Sequence, residues 1–202
     1  MEVKEISRDK VQSDALDVAI NNNRATLGIS MGVGKTRIAI QHLMKLYDPF
    51  IRVLVVVPKW SVKDSWEDEL QKMGNLKLIH HIEFSTYLSL NKLNPKDYDI
   101  VYLDECHSLL ESHEEFLSEF KGRILGLTGT PPRSGEKLKM VNKYCPVKYT
   151  FSVDDAADNS ILNDYQIIVH ELELSKVKNV KKSTKDGRTW YTSELADYQY
   201  YT

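Results

Sequence analysis

Apolar residues recur along the chain in two rhythms. Val11, Ala15, Ala19 and Ile20 share one face at helical spacing, so Val11 to Ile20 reads as a helix. Ala25 to Ile29 reads as a short strand, followed by a glycine-rich turn and a helix over Thr36 to Leu46. Arg52 to Val57 is apolar after its first residue and reads as a strand buried on both faces. Ser61 is placed to cap a helix through Trp66 and Leu70, with Asp64 completing a variant capping box. Leu76 to Ile79, Ile82 to Ser85, Ile100 to Leu103 and Ile124 to Leu127 are further strand candidates. Strands alternating with amphipathic helices predict an α/β fold, a mainly parallel, doubly wound sheet with helices on both faces.

The rhythm changes after about Thr150. Ser152 opens a short helical segment with Asp154 and Asp155 in its first turn, and Tyr165 to Leu174 reads as a strand. Asp186-Gly187 then separates two alternating runs, which predicts a β-hairpin. The expected organisation is one α/β domain over residues 1–150 and an appendage over 151–202 that carries the hairpin.

Composition narrows the class. The 202 residues hold 27 Lys plus Arg against 29 Asp plus Glu, a net charge of -2, so any nucleic-acid contact must be local. With 42% hydrophobic and 28% charged residues, the chain can bury a core. Cys106 and Cys145 are too few for a disulfide scaffold and suit a reducing compartment. The run from Ile51 to Pro58 is too short to span a bilayer, and the first residues lack the apolar stretch of a secretion signal. A cytoplasmic protein with no membrane partner is expected.

The candidate chemistry begins at GISMGVGKT, Gly28 to Thr36, between a strand and a helix. Gly32 and Gly34 let backbone N–H groups turn toward phosphate oxygens, and Lys35 brings a positive charge to the β- and γ-phosphates. Thr36 offers a hydroxyl to Mg²⁺, and the helix N-terminus adds its dipole. Ile29 stands where the general phosphate-loop pattern has a glycine. Asp104 and Glu105 follow the strand Ile100 to Leu103, where ligands bind in open parallel sheets. Asp104 can hold Mg²⁺ through water, and Glu105 can orient an attacking water. Cys106 and His107 have no second pair at ligand spacing, which excludes zinc. His107 is expected to hydrogen-bond across the nucleotide site.

GISMGVGKT, VVVPKWSV, FSTY, LDECH and LTGTPP, in that order and spacing, resemble the first RecA-like domain of superfamily 2 helicases and translocases. The resemblance covers nearly all of residues 1–150. PKWSVKDSWEDEL is similar to the corresponding motif of chromatin-remodeller-like and phage or restriction-enzyme translocases. The resemblance implies a Walker A-type loop with nucleotide contacts from Gln12, Met31, Gly32, Val33, Gly34, Lys35, Thr36 and Arg37. In it Gln12 reads adenine, and the arginine usually found close by is offset to Arg8. Lys35, Asp104 and Glu105 are implied as catalytic, with Thr36 and Asp104 holding Mg²⁺. His107, Thr128 and Thr130 are implied to couple nucleotide state to grip. Pro58, Lys59, Ser61, Ser85, Thr86 and Tyr87 are implied to touch the nucleic-acid backbone. Trp60 and Trp66 read instead as packing aromatics.

Other clusters read more plainly. The glutamates from Glu111 to Glu119 read as a solvated helix face, and His80 and His81 have no assigned role. Lys176, Lys178, Lys181, Lys182, Lys185 and Arg188 make the hairpin basic, and read as a solvated surface more simply than as a nucleic-acid arm. Ile161, Leu162 and Tyr165 resemble the crossover into a second RecA-like domain, whose own motifs the chain lacks. The length therefore predicts a first motor domain plus the opening of a second. Three classes remain open on the sequence: an ATP-driven motor on nucleic acid, DNA favoured over RNA; a P-loop phosphotransferase for a small molecule; and a non-catalytic nucleotide-binding module.

Overall fold

A computed structural model of the chain describes residues 6–163, 178–182 and 189–193. The chain divides into two compact units, Met1–Asp164 and Tyr165–Thr202. The first opens with helix α1 (Arg8–Asn21), capped by the Ser7 hydroxyl, which accepts from the Lys10 N–H. Strand β1 (Arg24–Ile29) leads through the glycine turn into α2 (Lys35–Leu46), and β2 (Val53–Val57) leads into α3 (Ser61–Lys72). Then come β3 (Ile82–Thr86), β4 (Ile100–Asp104), the short α4 (Glu114–Glu119), β5 (Arg123–Thr128), α5 (Gly135–Tyr144), β6 (Val147–Phe151) and α6 (Val153–Asp158).

The sheet is parallel throughout, in the order β3-β2-β4-β5-β1-β6. Its central strands alternate between two cores. Val53, Val55, Val57, Ile100 and Tyr102 pack with α1, α2 and α3 on one face. Leu54, Val56, Val101 and Leu103 pack on the other with Phe116, Leu117, Met140 and Val141. A strand covered on both faces reads as a continuous apolar run because neither parity meets water. Each such side chain contributes about 1.5–3 kcal/mol relative to exposure. Cys106 and Cys145 are buried within the second core. Among the described residues no helix is long and apolar enough to cross a membrane.

Local readings differ at several points. Leu76 to Ile79 is not a strand but part of a 3₁₀ helix, Leu76–His81, which leaves Leu76 exposed while Leu78 is buried. Ser61 is the first helical residue of α3 and not its cap; that place falls to Trp60, with no side-chain bond to the helix. Trp60 is itself 57% exposed, whereas Trp66 is wholly buried. Glu111–His113 is a separate 3₁₀ turn, and the helix behind it is only Glu114–Glu119. Glu114 is also not merely solvated: it accepts from the Tyr144 hydroxyl and pairs with Lys143.

The edge strand β6 and helix α5 did not stand out in the apolar pattern, since β6 alternates half-exposed and exposed residues until Phe151. Beyond it the expected capping box forms, with Ser152 Oγ accepting from the Asp155 N–H while the Asp155 carboxylate accepts from the Ser152 N–H. Ala156 is buried, and Ile161 and Leu162 pack against the first core. In the second unit β7 (Lys178–Lys182) pairs antiparallel with β8 (Thr189–Ser193), in register from Lys178 with Ser193 to Lys182 with Thr189. The expected strand Tyr165 to Leu174, the Asp186-Gly187 turn, and Lys176, Lys185 and Arg188 lie outside the described residues.

Candidate nucleotide site

Because β4, β5 and β1 are neighbours, their carboxyl ends bring three distant turns together. After β1 the phosphate loop bends at Gly32 (φ 83°) and Gly34 (φ 107°), conformations that favour glycine. Gly34 is the N-cap of α2 and has no side chain to offer, so the first N–H groups of the helix lack a side-chain cap. The loop is braced from α1: Gln12 Nε2 donates to the Val33 carbonyl at 2.7 Å. A Cβ on Gly34 would lie only 2.7 Å from that same Nε2, so the brace and the bare backbone are fitted to each other. The Ser30 hydroxyl, buried at the start of the loop, has no partner.

Asp104 is the last residue of β4 and is almost covered. Both ends of this residue are held. Trp66 Nε1 donates to Oδ2 at 3.0 Å, and the Tyr87 hydroxyl donates to the carbonyl at 2.8 Å. Burial pushes the Asp104 carboxyl up from its usual value, and the Trp66 hydrogen bond opposes that rise. Glu105 sits at φ 50° and ψ 55°, a left-handed conformation that is strained for a residue with a Cβ. The turn aims its carboxylate between two partners. Glu105 Oε1 lies 3.9 Å from Lys35 Nζ, and Oε2 lies 3.3 Å from His107 Nδ1. His107 Nδ1 is in turn 2.8 Å from Thr128 Oγ1, which also accepts from the Thr130 N–H at 3.1 Å. A continuous polar chain thus runs from the phosphate loop through the acidic turn to the threonine turn after β5.

The phosphate loop and the acidic turn open onto a cleft of about 700 Å³. Gln12, Met31, Gly32, Val33, Gly34, Lys35, Thr36 and Arg37 all line it, as do Asp104 and Glu105. Val33 is buried as a side chain, so its contribution is its backbone. Gln12 is nearly buried too, with its amide nitrogen on the loop. Arg8 lines the same cleft and donates to the Ile161 carbonyl at 2.9 Å. Sequence reasoning missed the wall supplied by α3, where Ser65, Asp68, Glu69 and Lys72 face the cleft and Glu69 pairs with Arg37 at 3.1 Å. Nothing in the local pattern of α3 marks that face, because polar residues there look like an ordinary solvated helix side.

The six expected nucleic-acid residues are not equivalent. Pro58, Lys59 and Ser61 are exposed at the carboxyl end of β2. Ser85 and Thr86, which end β3, and Tyr87, just beyond it, are buried, at 4%, 9% and 7% exposure. Tyr87 packs in the second core and its hydroxyl donates to the Asp104 carbonyl.

A six-stranded parallel sheet of this order, with a glycine turn, an acidic turn and a threonine turn brought together at its carboxyl edge, is the RecA-like α/β fold. Comparison with known proteins agrees. No protein-family model matches the chain. A protein of African swine fever virus named "Putative ATP-dependent RNA helicase" is 31% identical over a stretch covering 54% of this chain and 25% of the viral protein, in both a Kenyan isolate and the Badajoz strain. The chain therefore spans about a quarter of the length of the curated relatives it matches. Among solved structures, the UvsW helicase of bacteriophage T4 superposes with a TM-score of 0.59 at 15% identity, covering 74% of this chain and 62% of that one. The Type ISP restriction-modification enzyme LlaGI, solved with a DNA substrate mimic, gives 0.57 at 18%, covering 74% and 20%. A DEAD box protein from Methanococcus jannaschii gives 0.50 at 18%, covering 68% and 49%.

Proposed function

We propose that this chain is the ATP-hydrolysing motor domain of a nucleic-acid helicase or translocase. In this reading it favours DNA over RNA and works with a second RecA-like domain of the same longer protein. The observation that carries the reading is the polar chain from Lys35 through Glu105 and His107 to Thr128. It joins a turn built for phosphate to a turn whose hydroxyl can change partners, which is the two-state contact a motor needs.

Lys35 and the N–H groups opening α2 bind the β- and γ-phosphates. Glu105 orients a water and accepts its proton at a carboxylate oxygen as that water attacks the γ-phosphorus and the bond to the bridging oxygen of the β-phosphate breaks, releasing ADP. Thr36 and Asp104 are hard oxygen donors, the kind magnesium takes. Magnesium bound with ATP would neutralise the charge developing on the transferred phosphoryl group. When the γ-phosphate leaves, Lys35 and His107 remain as partners for Glu105, and Thr128 passes the change to Thr130. Pro58, Lys59 and Ser61 take a backbone phosphate. The preference for DNA rests on the translocase-like segment PKWSVKDSWEDEL and on the fold likeness to an enzyme solved with a DNA substrate mimic.

The test is ATP hydrolysis with and without duplex DNA, single-stranded DNA and RNA. Turnover by this chain alone should be slow, since an arginine finger from a partner domain supplies about 10³–10⁵ in rate in related chemistry. In a longer chain, DNA should stimulate it more than RNA, and Lys35→Ala should abolish it. A response indifferent to every nucleic acid, with phosphate transfer to a small acceptor instead, would sink the reading.

A further inference from the structure

Trp66 stands apart from the residues that line the cleft, yet it reaches the acidic turn directly. Its side chain is wholly buried, and an indole has one donor and no acceptor. A buried donor left unpaired costs about 1–3 kcal/mol, so the identity of its partner is informative. That partner is neither a backbone carbonyl nor a neutral side chain but Asp104 Oδ2, 3.0 Å away on another element. The ring is clamped from two strands, with its centroid 5.7 Å from that of Tyr102 on β4 and 6.4 Å from that of Phe84 on β3. Tyr102 is fixed in turn by His42 of α2, whose Nδ1 lies 2.8 Å from its hydroxyl. The indole N–H therefore has little freedom to turn away from the carboxylate. One turn further along α3, Glu69 pairs with Arg37, next to Thr36. At its other end the helix begins at the exposed segment Pro58 to Ser61.

We propose that Trp66 is the positioning residue of Asp104: its indole N–H occupies Oδ2 and so orients the carboxylate to offer Oδ1 toward the magnesium-nucleotide complex. The proposal rests on the reading of Asp104 as a magnesium-holding residue. It makes α3 a rigid connection between the surface at Lys59 and the carboxylate at the end of β4. A tryptophan at this position then has a purpose that apolar packing alone would not require, because packing alone asks for no N–H donor.

Trp66→Phe keeps an aromatic ring and removes the donor, together with some of the buried volume. Groups that orient a metal-holding residue are worth about 10–100-fold in metal affinity or activity. The magnesium concentration for half-maximal binding of a fluorescent ATP analogue should rise about 10-fold, and kcat should fall by a similar factor. KM for ATP at saturating magnesium should stay within about 2-fold. In the wild-type protein, one of the three indole N–H resonances should shift when magnesium and a non-hydrolysable ATP analogue are added together. It should shift less with the analogue alone, and be absent from the Trp66→Phe spectrum. A variant with unchanged magnesium dependence, beside an Asp104→Ala variant that is inactive, overturns the role of Trp66 and leaves the motor reading standing. Turnover that survives both Asp104→Ala and Lys35→Ala removes the motor reading itself. If Trp66→Phe does not fold, the wild-type resonance decides, and an indole signal indifferent to magnesium and nucleotide overturns the proposal.

Discussion

The phosphate loop bends at Gly32 and Gly34, where φ values of 83° and 107° suit a residue without a Cβ, whereas the acidic turn bends at Glu105, which holds φ 50° with a full side chain. The two turns lie at the ends of β1 and β4, with only β5 between them. The first works through its backbone, so glycine serves it at no steric cost. The second works through a carboxylate, so it keeps a Cβ in a conformation that costs on the order of 1 kcal/mol or more. Lys35 and His107 on either side of the Glu105 carboxylate help to offset that strain. The contrast teaches where strain is tolerated: where a side chain has to be aimed between fixed partners, as Glu105 is between Lys35 and His107.

The largest expected break in this comparison is Glu105→Gln. It keeps the turn and removes the proton acceptor, so hydrolysis should fall by about 10²–10⁴ while nucleotide binding persists, as single-turnover assays would report. Loss of binding as well would make Glu105 a ligand contact and remove it as the base.

Next in size is a pH effect on the contact that joins the two turns through their supports. His42 of α2 meets Tyr102 of β4, is buried, and has Nε2 unpartnered. Burial first, and the charge of Arg123 second, push its pKa down to about 4. The folded protein therefore refuses a proton that the unfolded chain accepts near its ordinary value of about 6.5. Stability from this group is fully present above pH 6.5 and is lost as pH falls toward about 4, by on the order of 3 kcal/mol. Urea unfolding at several pH values should show that slope in the wild type and a flatter one in His42→Gln. Equal slopes would remove His42 as the cause.

Gly34→Ala tests the glycine side of the comparison. At φ 107°, with Gln12 Nε2 2.7 Å from the new Cβ, it should destabilise by about 1–3 kcal/mol and weaken nucleotide binding, as thermal unfolding and an ATP-analogue titration would report. Wild-type affinity would show that the loop adapts. Glu105→Gly is the smallest and the most pointed test. Turnover should fall as in Glu105→Gln, yet stability should rise by up to about 1 kcal/mol as the strain is released. A melting temperature below that of Glu105→Gln would mean that the side-chain partners outweigh the strain.

Much of the frame is legible in the amino-acid pattern. Val53 to Val57 and Ile100 to Leu103 are apolar without interruption because both faces of a central parallel strand are covered, and that leaves a plain mark in the chain. GISMGVGKT and the Asp104-Glu105 pair can be read because backbone shape and charge at a strand end demand particular residues at fixed spacing. Edge strand β6 and the 3₁₀ helix Leu76–His81 are obscure for the opposite reason, since half-exposed positions are only weakly constrained.

By itself, then, the sequence determined the α/β class, the central strands, and the glycine turn and acidic pair that follow two of them, all of which are local consequences of burial and spacing. Tertiary structure alone decided which buried polar atom meets which. Trp66 reads as a packing aromatic until β2 and β4 lie side by side and its N–H finds Asp104. Tyr87 gives no sign in the sequence of the bond its hydroxyl makes to the Asp104 carbonyl. Periodicity records how deeply a residue is buried. A hydrogen bond between distant residues depends on strand order and register, which no local pattern encodes.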